Sequence, residues 1–310
     1  MAADRTGSAA ARRGLILVVL GAALWGTSGV ATKSLYARID ISPISVAAFR
    51  LALGAPMLLV AFRLTGGSRS LRFARGDFGW LLLAGASLGI SQACYFAAIS
   101  RVGVAIATLV TICSTPVLVC LLSVALLRER LTRAVGGALA CALIGTALLT
   151  GVGQRGVGAH TNAALGGILL AVGAACCFAA FILVSRLLAN RYPPLLSITI
   201  AVSIGAALLM AVAAATVGVT LRYPWAAWAL LLYLGLAPTA LGYALFYLGV
   251  QHTTASEASI ASLAEPLTST ALAMVIFGEQ LGTLGLLGAA LLLGAIVFLY
   301  RNGSPPVKGT

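Results

Sequence analysis

Ten apolar runs dominate the chain, with approximate bounds 14–36, 43–63, 78–100, 103–126, 133–153, 165–188, 195–218, 226–249, 254–277 and 281–300. Most are about 20 residues or longer, and at roughly 1.5 Å rise per residue such a run crosses a hydrocarbon core of about 30 Å as a helix. A water-soluble globule is excluded: of 310 residues 61% are hydrophobic and 9% charged, with mean hydropathy +1.06, too little polar surface to face water. Segments such as LLLAGASLGI have no polar face at period two, which argues against the alternating strands of a membrane barrel. Helices are the remaining way to satisfy backbone groups in lipid.

The net charge of +13 does not mark a nucleic-acid binder, because the basic residues are scattered over loops rather than gathered on one face. Topology explains them. With the N-terminus inside, fourteen Lys and Arg fall on inner segments, among them Arg12, Arg13, the RLTGGSRSLRFAR and RERLTR loops, Arg186 and Arg191. Four, Arg38, Arg101, Arg155 and Arg222, fall outside. The positive-inside rule therefore predicts an N-in, C-in chain, with residues 1–13 and 301–310 as cytoplasmic tails. All six cysteines lie within spans and read as small apolar packing residues, and no metal site is implied. The start, RRGLILVVLGAALWG, mimics a signal peptide, but apolar sequence continues to Leu35, so it reads as a retained first span.

The chain repeats itself. Residues 14–36 lie over 166–188, and TPVLVCLLSVALLRERL at 115–131 has the layout of EPLTSTALAMVIFGEQL at 265–281. Each half, 14–153 and 165–300, holds five spans. Five is odd, so the second half enters the membrane in the opposite direction, which predicts an all-α membrane protein of ten transmembrane helices arranged as two inverted five-helix repeats. The RERLTR loop becomes GEQLGT in the second half: the glutamate stays and the arginines go, as a change of membrane side requires. Pro116 and Pro266 are matching mid-span breaks and the expected hinges; Pro56 and Pro238 break spans two and eight. Abundant glycine and alanine predict close helix packing.

LWGTSGVATK (24–33), SPISVAAFRLALGAPMLL (42–59) and EPLTSTALAMVIFGEQLG (265–282) resemble the EamA-type drug/metabolite transporter superfamily over nearly the whole chain, and within it the bacterial aromatic amino-acid exporter branch. The resemblance implies a bacterial inner-membrane exporter of small metabolites with a central cavity between inverted halves. Two departures from symmetry, EPL against TPV and Arg50 against apolar residues near Ala201, suggest unequal contributions to the site.

Ionisable groups inside the hydrocarbon are functional candidates, since insertion at a helix centre costs about 2.5–3.5 kcal/mol. Lys33, Arg50, Glu257 and Glu265 qualify. Glu265 is the most central, as a substrate-ammonium contact, a proton site or a structural partner of Lys33 or Arg50. Glu257 and Lys33 are expected to snorkel, and Arg50 to be a structural charge. Helical spacing puts Thr108, Thr111 and Thr115 on one face of span four, and Ser259, Ser262, Glu265 and Ser269 on one face of span nine. Span three offers Gln92 and Tyr95, and span eight Thr239, Tyr243 and Tyr247. With Trp25 these would line a cavity for an amphipathic small molecule, although any single hydroxyl is more often an interhelical hydrogen bond.

Catalysis is not expected. GTSG at 26–29 matches the serine motif of intramembrane proteases, but His160 and His252 fall at a loop and a span end. No nucleotide-binding or zinc-hydrolase motif occurs, and no cofactor is implied. The reading is a monomeric exporter of amino acids, aromatic or otherwise neutral, or similar small metabolites, with membrane lipid as its surroundings, working by alternating access at a midplane cavity. Proton coupling and downhill movement both fit. Multidrug efflux of lipophilic cations is the alternative, which Glu265 keeps open.

Overall fold

The computed structural model describes residues 2–65, 76–129, 131–150, 162–189, 191–278 and 282–302. Among them every regular element is helical: α1 (Ala2–Tyr36), α2 (Pro43–Leu64), α3 (Phe78–Leu127), α4 (Arg133–Leu149), α5 (Asn162–Leu188), α6 (Pro194–Thr216), α7 (Trp225–Leu234), a π-helical turn (Gly235–Leu241), α8 (Gly242–Val250), α9 (Ala255–Ala261), α10 (Ala264–Phe277) and α11 (Thr283–Asn302). Nine described segments are long and apolar enough to cross a membrane, and Arg133–Leu149 is a shorter apolar helix of 17 residues. Helix α1 begins within the segment expected as a tail and runs on without a break into the first span.

Spans three and four form one helical element, α3, of 50 residues. A straight helix of that length would measure about 75 Å, far more than a bilayer core. It cannot be straight. The Tyr95 and Thr108 hydroxyls share a 2.6 Å hydrogen bond although they are 13 residues apart, a separation that a straight helix would set at about 20 Å. The element therefore doubles back between them, with both of its ends at one end of the bundle. Both arms reach α5: Ser91 Oγ donates to the Ala174 carbonyl at 2.8 Å and Thr111 Oγ1 to the Ala171 carbonyl at 3.1 Å.

The principal pairings are α3 with α5 and α6, α11 with α4, α2 with α6 and the π turn, and α1 with α8 and α10. Exchanging each element for its counterpart about 150 residues away maps this pairing onto itself. Glycines set the spacing. A Cβ on Gly145 would stand 2.8 Å from the Gly288 carbonyl oxygen, and one on Gly288 2.6 Å from that of Gly145, so α4 and α11 touch backbone to backbone. Gly54 meets Gly235, and Gly205 meets Gly85 and Gly89, at equivalent positions of the two halves.

Between α7 and α8 the helix widens into the π turn around Pro238, where the Thr239 hydroxyl donates to the Leu234 carbonyl at 2.8 Å, satisfying an acceptor in the widened turn. Beside it lies an aromatic core: the Trp25 ring is 5.0 Å from Tyr243, 5.3 Å from Phe246 and 6.1 Å from Phe178, and Phe181 packs on Tyr243 and Tyr247.

The close approach of α4 and α11 makes a test. Gly145→Leu is expected to cost about 1–3 kcal/mol by overpacking, read as a lower melting temperature in detergent. Gly137→Leu, at a position with nothing within 4 Å, serves as the unaffected control. Equal melting for both variants would contradict the backbone contact.

Candidate functional site

The ninth span is two helices. Pro266 has no N–H to offer the Ser262 carbonyl, so that oxygen accepts from the Glu265 N–H instead, at 3.1 Å, and α9 ends before α10 begins at Ala264. Glu265 thereby falls in the first turn of α10, at the positive end of that helix's dipole. That is why glutamate and proline stand side by side in an apolar run. Ten residues from the start of α9, or about 15 Å, put Glu265 near the middle of a 30 Å core.

The expectation of one continuous polar face through Ser259, Ser262, Glu265 and Ser269 is corrected by this break, because a continuous helical rotation does not carry across it. Span four behaves differently. Around Pro116 α3 remains helical, with Pro116 buried and the Thr115 hydroxyl donating to the Thr111 carbonyl at 2.8 Å. The two matching prolines thus have unequal local consequences.

Around Glu265 converge Arg50 from α2, Tyr95 from α3 and Tyr243 from α8. The Arg50 guanidinium and the Glu265 carboxylate attract one another, and both act on the Tyr95 and Tyr243 hydroxyls. No ion pair within 4 Å joins Arg50 to Glu265, and Arg50 Nε is buried with no hydrogen-bond partner.

Of the candidate residues, Gln92, Tyr95, Thr108, Thr111, Ser262 and Glu265 keep partial exposure. Trp25, Thr115, Thr239, Tyr243, Tyr247 and Ser259 are buried, with Trp25, Tyr243 and Tyr247 in the aromatic core. Several hydroxyls are engaged by the backbone: Ser259 donates to Ser256 and Ser262 to Ala258, both at 2.8 Å. Lys33 is exposed in the last turn of α1, where a cation suits the helix dipole. Glu257 does not snorkel. It is 3% exposed and closes a capping box with Thr254, while Thr253 Oγ1 donates to its carboxylate at 2.9 Å.

The sequence reading passed over Glu129 and Arg186. Arg128 turns the chain through a left-handed conformation after α3, and the Glu129 carboxylate then accepts from the Ala255 N–H at 2.9 Å and from Ser256 Oγ at 3.2 Å. Ser256 Oγ in turn lies 2.8 Å from Ser123 Oγ. Arg186, buried in α5, is the cation that acts on Glu129. At the same end Asp77 accepts from Arg191 and from the Tyr192 hydroxyl, both at 2.8 Å. Residues before 150 and after 162 are thus latched at the end where α3 begins and finishes. Glu279, the counterpart of Glu129, lies outside the described residues. The signal was available: a glutamate just past a span and an arginine inside FILVSRLL.

Two shallow clefts lie at loops, away from Glu265: one of about 500 Å³ between Tyr36 and Pro43, the other of about 410 Å³ around Tyr192 and His252. The Glu129 latch predicts that Glu129→Ala, which strands the Ala255 and Ser256 donors, lowers stability by about 1–3 kcal/mol. Glu129→Gln, keeping one acceptor oxygen, should lose less. Unchanged melting of the alanine variant would refute the latch.

The EamA-like transporter family model matches the chain twice, over residues 12–151 and 165–301. An uncharacterized transporter of Bacillus subtilis, YwfM, is 30% identical over 290 residues, covering 91% of this chain and 92% of that protein. An uncharacterized inner membrane transporter of Salmonella typhimurium, YicL, is 28% identical over 93% of this chain and 95% of its own length. A solved crystal structure, 23% identical, covers 93% of this chain and 98% of its own with a TM-score of 0.80, which shows a shared fold. On the family match across both halves, this chain belongs to the EamA-like transporter family and is a multi-pass membrane protein.

Proposed function

We propose that this membrane transporter of small metabolites exports amino acids, aromatic or otherwise neutral, across the bacterial inner membrane by alternating access. The observation that carries the reading is the break within span nine, which puts a carboxylate at a helix N-terminus with an arginine and two tyrosine hydroxyls around it. Discontinuous helices at the midplane are how transporter folds build substrate sites. A mixed acid, base and aromatic environment suits a small amphipathic ligand. The pairing of elements that survives exchange of the two halves supports inverted repeats, 14–153 and 165–300, rocking about this site. On the positive-inside reading the latched end faces the cytoplasm, so the conformation described is closed on that side.

Transport here requires no covalent chemistry, only different affinities for substrate in inward- and outward-facing states. The protein is taken to act as a monomer, with Pro116 and Pro266 as the hinges. Glu265 is the group through which a proton gradient could be coupled. Efflux of lipophilic cations is the second reading, favoured by the same carboxylate beside aromatic rings.

Uptake into liposomes holding the purified protein decides between them, using labelled phenylalanine, tryptophan, threonine, methionine and a lipophilic cation, with and without a pH gradient. Saturable amino-acid uptake with competition inside the panel is expected. Movement of the cation alone would replace this reading with drug efflux, and dependence on the gradient that disappears in Glu265→Gln would assign the proton site.

A further inference from the structure

We infer that Arg50 and Glu265 divide the two charges of a zwitterionic ligand, the guanidinium taking its carboxylate and the glutamate its ammonium. This rests on the transport reading above and deepens it by assigning roles to two residues. Two opposite charges held inside a membrane protein offset their desolvation only through good contact geometry and full hydrogen bonding. Here no ion pair within 4 Å forms, Arg50 Nε has no hydrogen-bond partner, and the Glu265 side chain remains partly accessible. A purely structural pair would be expected to close that gap.

The gap fits a ligand that carries both charges. A guanidinium presents a planar fork matched to a carboxylate, whereas an ionised glutamate only accepts and so matches an ammonium. Glu265 stands in the first turn of α10, where the helix dipole adds to the stabilisation of its carboxylate once a cation is bound. Tyr243, packed against the Trp25 ring at 5.0 Å, lies in the field of both Arg50 and Glu265 and is a positioning residue for the site. The position in the second half that corresponds to Arg50 is apolar, near Ala201, so the site is polarised and a ligand would bind in one orientation.

The consequence is a requirement for both charges. A ligand lacking one leaves a desolvated partner unpaired, which lowers affinity by about a hundredfold or more. The test is thermal-shift titration of the purified protein with phenylalanine, phenethylamine, which lacks the carboxylate, and 3-phenylpropionate, which lacks the ammonium. Wild type should bind phenylalanine about a hundredfold more tightly than either analogue. Arg50→Gln should bind phenylalanine and phenethylamine alike. Glu265→Gln should bind phenylalanine and 3-phenylpropionate alike.

This crossed pattern is one that a structural pair cannot produce. Loss of all three ligands by both folded variants, or equal wild-type affinity for amine and amino acid, would overturn the assignment while leaving amino-acid transport standing. Should phenylalanine neither stabilise nor cross with wild type while other members of the uptake panel do, both the assignment and the aromatic substrate class fall.

Discussion

Every backbone N–H and C=O within the hydrocarbon must find a partner inside the protein, and the architecture follows from where that demand is met and where it is relaxed. Regular helix meets it over most of the chain. Side-chain hydroxyls add to it: Thr239 at the π turn, and Ser91 and Thr111 across to carbonyls of α5. The one place in the ninth span where the ladder is interrupted, Ser262 to Pro266, is the place where a carboxylate sits within the apolar run. Interruption and charge depend on each other. The break puts the carboxylate at the positive end of the α10 dipole.

Lipid tails are as apolar as leucine, so helices hold together here by close contact and interhelical hydrogen bonds rather than by escape from water. The glycine contacts between α4 and α11, and those of Gly54 and Gly205, provide the first. The latch at the RERL end provides the second, through carboxylates that accept from backbone and hydroxyl groups across the chain's midpoint. The contrast matters for mechanism. Glycine contacts within tight pairs are too short to slide apart easily, whereas hydrogen bonds of Glu129 and Asp77 can exchange with water when that end opens.

The spans, their order and the duplicated layout were legible in the sequence because length and apolarity are one-dimensional properties. Pro266 also pointed to the break within span nine. What was not legible depended on three dimensions. The helical continuity of α3 is one such feature: the sequence parts it into spans 78–100 and 103–126 with Arg101 between them, whereas the stretch from Arg101 to Ile106 stays helical through the reversal. The polar stripe of span nine was drawn on a continuous helix, and the break that follows from Pro266 rearranged it. Pro116 looks the same in sequence and leaves its helix continuous, which spacing alone could not reveal. Glu129 and Arg186 were assigned to a charged loop by position, because their roles depend on α9 and α3 meeting from opposite halves of the chain.

The account stands on the seam at the RERL end parting during transport, and a reversible covalent lock tests it most directly. Ser123 and Ser256, whose hydroxyls are 2.8 Å apart, would be replaced by cysteine in a background with the six native cysteines changed to alanine. Uptake into liposomes would then be measured before oxidation, after oxidation and after reduction. Uptake that stops on disulfide formation and returns on reduction is the predicted result; undiminished uptake by fully cross-linked protein would contradict it.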